Sequence, residues 1–91
     1  MRLFLVHAGF YDGNVSGGFY ESHTNYFVVA QDVKDAKSKA KEIPEYKDKK
    51  MHIDGIKEID AVDGYKIVLK KNEDGTLSAG SKYSYDDVKK I

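Results

Sequence analysis

The sequence predicts an α+β chain: a mostly antiparallel sheet in the order β-β-α-β-β, with one amphipathic helix packed on one face. Three observations carry this. Short runs of aromatic and β-branched residues alternate with turn residues, one stretch carries apolar residues at helical spacing, and four Asp-Gly pairs divide the chain. At 91 residues the length suits one domain, residues 1–91, with residues 79–91 as a frayed tail.

The first strand is Leu3-Phe4-Leu5-Val6, a continuous apolar run of the kind a central strand shows. Gly9 to Gly18 holds Asp12-Gly13, Asn14, Ser16, Gly17 and Gly18, which tolerate positive φ, so this stretch is expected to be a mobile loop or a loose hairpin. Tyr26 to Ala30 should form a second, buried strand, with Phe19 to Thr24 leading in. Asp32 is placed to cap a helix whose stripe is Val33, Ala36, Ala40 and Ile43, and Pro44 should stop it. Glu45 to Lys50 reads as a charged connector.

From Met51 to Lys71 two strands should meet at Val62-Asp63-Gly64-Tyr65, with Tyr65, Ile67 and Leu69 alternating against Lys66, Val68 and Lys70. The apolar register shifts between Ile53 and Ile56, which places a bulge at Asp54-Gly55. Thr76 to Ala79 could add an edge strand, and Ser84-Tyr85-Asp86-Asp87 resembles the start of a marginal helix.

Fifteen basic residues balance fifteen acidic ones, so no global field draws the chain to nucleic acid or an anionic membrane. There is no cysteine, hence no disulfide framework and no thiolate metal site, and a cytoplasmic setting is the simpler expectation. The opening apolar run is too short for a membrane span or a signal-peptide core. Lysines 34, 37, 39, 41, 47, 49 and 50 form a basic stretch, but Asp35, Glu42, Glu45 and Asp48 interrupt it and no RNA-recognition signature accompanies it.

Two short patterns could carry chemistry. Glu21-Ser22-His23 and His52-Ile53-Asp54 each set an acid and a histidine two residues apart, on one face of a strand. Were the two segments to pair, Glu21, His23, His52 and Asp54 would converge, a donor set for a divalent metal or for acid/base work near neutral pH. The plain alternative is that these groups hydrogen-bond one another at a sheet end. His7, at the end of the first strand, is expected to be exposed. The glycine loop, through Gly17, Gly18, Tyr11 and Tyr20, could act as a lid over the cluster. No cofactor is predicted, although the cluster could take a divalent metal.

The opening Arg2 to Val6, Gly17-Gly18, Glu21-Ser22-His23 before Phe27 to Ala30, and above all His52-Ile53-Asp54 followed by Val62-Asp63-Gly64-Tyr65-Lys66-Ile67, resemble an uncharacterised bacterial family, domain-of-unknown-function family 1543, over roughly residues 1–70. The resemblance implies a shared fold and a polar pattern that includes Glu21, His23, His52 and Asp54, without an activity. Thr24 stands where the family tends to have an acid. Members tend to carry two such units in one chain, so that a homodimer could replace the tandem here. The expectation is a small binding or interaction module for a protein or small molecule. The alternatives are a metal-dependent or acid/base enzyme at the cluster, and a nucleic-acid-binding protein using the lysine helix.

Overall fold

A computed structural model describes residues 1–91 and is α+β, with a three-stranded antiparallel sheet as its frame. Strand β1 (Arg2–Tyr11) is central, flanked by β2 (Glu21–Ala30) and β3 (His52–Glu58). The first strand is longer than its apolar run suggests. It continues through His7, Gly9 and Tyr11 because every residue from Arg2 to Tyr11 finds a partner on β2, from Ala30 back to Glu21. The loose loop shrinks accordingly to residues 12–20, with a 3₁₀ turn at Ser16–Gly18.

One face of the sheet is the core. Phe4, Val6, Ala8 and Phe10 alternate inward from β1 and are buried, as strand periodicity requires. Helix α1 (Val33–Lys41) lays Ala36 and Ala40 on Phe4, Val6, Val28 and Ala30, and the smallness of the alanines lets the helix sit close. Asp32 caps it, its carboxylate accepting from the Asp35 N–H at 2.8 Å. Val33, expected on the apolar stripe, is the first residue of the helix and is 53% exposed.

Pro44 ends one helix and begins another. Ile43 is extended (φ −64°, ψ 127°), as the residue before a proline prefers, and Pro44 occupies the first turn of α2 (Pro44–Asp48), where its missing N–H costs nothing. The expected connector is therefore helical, and it buries Tyr46 against Ala8, Phe10 and Met51. Tyr26 links the two halves of the core, donating its hydroxyl to Glu45 of α2. Desolvation, followed by that hydrogen bond and the Glu45 charge, pushes its pKa up to about 12.

Strand β2 is not buried on both faces. Val28 and Ala30 face the core, while Phe27 (70% exposed) and Val29 lie on the opposite face, which no helix covers. The turn at Asp63-Gly64 forms with both residues at positive φ (53° and 81°), as a two-residue hairpin needs, but it joins only β4 (Ala61–Val62) and β5 (Tyr65–Lys66), a separate two-stranded sheet. The alternation from Tyr65 to Lys70 finds no further strand to pair with, so it does not extend. For the same reason Thr76 to Ala79 is not a strand. Helix α3 (Tyr85–Lys89) has its capping box, Ser84 with Asp87, and every residue from 79 to 91 is exposed. No helix is long and apolar enough to cross a membrane.

Candidate functional site

The uncovered face of the sheet collects the polar residues. His7, Gly9 and Tyr11 alternate outward from β1, opposite Asn25, His23 and Glu21 of β2. His52 pairs with Gly9 on the other side. Asp54 is the extra residue of a bulge: Ile53 pairs with Ala8 and Gly55 with His7, so Asp54 is left without a partner of its own. The bulge resets the alternation. It lets Ile53 and Ile56 both pack on the core while His52 and Asp54 both face the open side, a pattern an unbroken strand cannot give.

All four predicted residues meet there. His23 Nε2 lies 2.8 Å from Glu21 Oε1 and 3.1 Å from Asp54 Oδ2; His52 Nε2 lies 3.1 Å from Glu21 Oε1 and 3.1 Å from Asp54 Oδ1. With its proton on Nε2 each imidazole donates to these oxygens. With the proton on Nδ1, the same geometry aims a lone pair at the point where the oxygens converge. The carboxylates lie deeper (side chains 29% and 32% exposed) than the imidazoles (42% and 48%), so the site opens outward between the rings.

Gly9 forms its floor. A Cβ there would stand 2.7 Å from both Asp54 Oδ2 and His52 Nε2 and would collide with Glu21 Oε1. Its backbone is ordinary strand, so the need for glycine is steric rather than conformational. In the sequence Gly9 looks like a loop residue; continuing the first strand from Val6 through Gly9 is what places it between the two histidine segments.

Three more side chains join the four. The Tyr11 hydroxyl donates to Glu21 Oε2 at 3.2 Å, leaving Oε1 turned toward the histidines. That hydrogen bond, then the charge of Glu21, raises the Tyr11 pKa. Desolvation pushes the Glu21 carboxyl up, but hydrogen bonding with His52, Asp54 and Tyr11 and the charge of His23 outweigh it and hold it below its ordinary value. His7, expected at a strand end, sits mid-strand; its Nδ1 lies 2.8 Å from Asn25 Oδ1, and its ring stacks on His23 with centroids 4.9 Å apart and planes within 6°. All three histidines of the chain thus share one face of one sheet.

Of the residues expected to form a lid, Tyr11 hydrogen-bonds Glu21 of the cluster, Tyr20 packs edge-on against Phe19, and Gly17 and Gly18 serve the turn at φ 62° and 78°. The molecule has three hollows, none lined by Glu21, His23, His52 or Asp54: about 390 Å³ between the β1–β2 turn and Lys49, about 430 Å³ at Lys70, Asn72 and Asp74, and about 820 Å³ among Met1, Val29, Leu69 and Leu77. Several lysines are already engaged. Lys39 donates to the Val29 carbonyl, Lys47 pairs with Glu42, and Lys49 lies over the Phe10 ring.

Residues 18–69 match the family described as Domain of Unknown Function (DUF1543). The chain belongs to that family. The DUF1543 match is a single copy and contains Glu21, His23, His52 and Asp54, whereas β1, with His7, Gly9 and Tyr11, lies outside it. No curated protein and no solved structure matches the chain.

Proposed function

We propose that this DUF1543 chain is a small binding module whose ligand is a divalent transition-metal ion, held on the open face of the sheet by Glu21, His23, His52 and Asp54. The observation that carries this reading is the spacing of the donors. Ligand atoms about 2.0–2.2 Å from a metal stand about 2.9–3.5 Å from one another in octahedral or tetrahedral shells. The four nitrogen–oxygen separations here, 2.8–3.1 Å, already approach the octahedral end of that range and need to open by about 0.7 Å or less to reach the tetrahedral end.

Chemistry favours a metal over the alternatives for the same cluster. Two carboxylates whose oxygens lie within 4.8 Å of a shared imidazole nitrogen and of each other repel when both are ionised, and a dication between them relieves that. Mixed imidazole and carboxylate donors suit Zn²⁺, Mn²⁺ or Ni²⁺ rather than Ca²⁺. Outer partners are in place, with Tyr11 orienting Glu21, as metal ligands commonly require. None of the three hollows is lined by Glu21, His23, His52 or Asp54, so the site suits an ion rather than a molecule that needs an enclosing pocket.

Thermal denaturation of chelator-treated protein with and without Zn²⁺, Mn²⁺ or Ni²⁺ tests the reading. A hundredfold excess over Kd should raise Tm by about 10 °C or more in a domain of this size. His52→Ala should abolish the rise. The absence of any metal-dependent shift in the unaltered chain, together with no binding by calorimetry, would reject it.

A further inference from the structure

The Asp54 carboxylate faces two histidines with two different oxygens: Oδ1 toward His52 and Oδ2 toward His23, each at 3.1 Å. Around it the donors fall into two groups of three. Glu21, His52 and Asp54 form one, and His7, His23 and Asp54 form the other; within each group the ligand atoms lie within 4.8 Å of one another. Asp54 is the only residue in both.

His7 is prepared as a ligand by its neighbour. With Asn25 Oδ1 accepting from its Nδ1–H at 2.8 Å, the proton is fixed on that nitrogen and Nε2 is left with its lone pair, as for metal-bound imidazoles whose second nitrogen is held by an outer acceptor. The His7 ring stacks on His23 in near-parallel planes, so one of the two rings must tilt for both in-plane Nε2 lone pairs to meet at one ion. His7 and Asn25 stand beside the four-residue site without serving as its ligands.

We propose that the cluster is a two-ion centre bridged by Asp54, with one divalent ion on Glu21, His52 and Asp54 Oδ1 and the second on His7, His23 and Asp54 Oδ2. This rests on the metal-binding reading and divides its donors. A carboxylate that gives one oxygen to each ion is the usual bridge where two ions stand about 3.5–4 Å apart. The bulge that frees Asp54 from strand pairing is what places one carboxylate between two histidine-bearing strands. Each ion has three protein ligands, and the open face leaves further positions to solvent or to an anionic ligand. Two dications against two carboxylates leave a net positive charge at the centre, which selects anions for those positions.

Calorimetric titration and elemental analysis of the chain with Zn²⁺, and electron paramagnetic resonance of the chain loaded with Mn²⁺, test this. The unaltered chain should take up two ions and show an exchange-coupled Mn²⁺ pair. His7→Gln should take up one ion, with the tighter of the two affinities changed by less than about threefold, and lose the coupling. Asn25→Ala, at an exposed position, should keep both ions but weaken the second by about tenfold. Saturation at one ion in both the unaltered chain and His7→Gln would overturn the two-ion centre and leave the metal-binding reading standing. Two ions retained by His7→Gln would overturn it equally. No uptake at all would remove both.

Discussion

A Cβ on Gly9 would stand 2.7 Å from the nearer oxygen of Asp54, so the central strand is bare of side chain where the carboxylate of its neighbour folds over it. The relationship joins fold to site. β1 must be flanked on both sides for Glu21 and His52 to meet, and it must carry glycine at their crossing point.

Gly9→Ala should separate binding from folding. The atoms its methyl would meet are the ends of Glu21, Asp54 and His52, which can swing into solvent, and the strand backbone accepts alanine without strain. Metal affinity should fall at least tenfold, about 1.4 kcal/mol, while the unfolding midpoint of the metal-free chain stays near that of the unaltered one. Calorimetry and denaturant unfolding read the two quantities.

Phe4 and Phe27 are both strand phenylalanines, yet they should respond differently to truncation. Phe4 is fully buried beneath α1, and Phe4→Ala should cost about 3–5 kcal/mol, a large share of the roughly 5–14 kcal/mol expected for a chain of this length. Phe27 lies on the uncovered face, and Phe27→Ala should change stability by no more than about 0.5 kcal/mol. Urea denaturation distinguishes them.

Asp32→Ala removes the cap of α1 and leaves the Asp35 N–H without its acceptor. A loss of about 1 kcal/mol is expected in the same assay. Asp32→Asn should recover most of it, because an amide oxygen also accepts.

Tyr26 makes stability depend on alkaline pH. Its folded pKa, about 12, lies above the ordinary tyrosine value of 10.0, so the protonated phenol is favoured by the fold. The contribution is complete below pH 10 and is lost as pH rises from there through about 12. Ultraviolet difference titration should find a phenol that ionises near pH 12, and Tyr26→Phe should remove that late step.

Much of this was legible in the sequence because it depends on neighbours along the chain. Asp32 and Ser84 announce their helices by capping chemistry, Asp63-Gly64 by the positive φ it allows, and the shift from Ile53 to Ile56 reveals the bulge. Residues at i and i+2 in two strands also brought Glu21, His23, His52 and Asp54 together on paper. What escaped depends on pairing across the sheet. Gly9 looks like a turn residue until β2 and β3 are known to lie on either side of it, and His7 looks like a strand end until the strand is known to run on to Tyr11. Phe27 and Val29 read as core because composition does not say which face of a sheet is covered.

The histidine nitrogens offer the most direct test of the central claim. In ¹⁵N-labelled protein, long-range proton–nitrogen correlation spectra recorded before and after addition of Zn²⁺ report which ring nitrogen of each histidine binds. Coordination through Nε2 of both His23 and His52, with the proton held on Nδ1, is the predicted result. Spectra unchanged by the metal, or coordination through Nδ1, would contradict it.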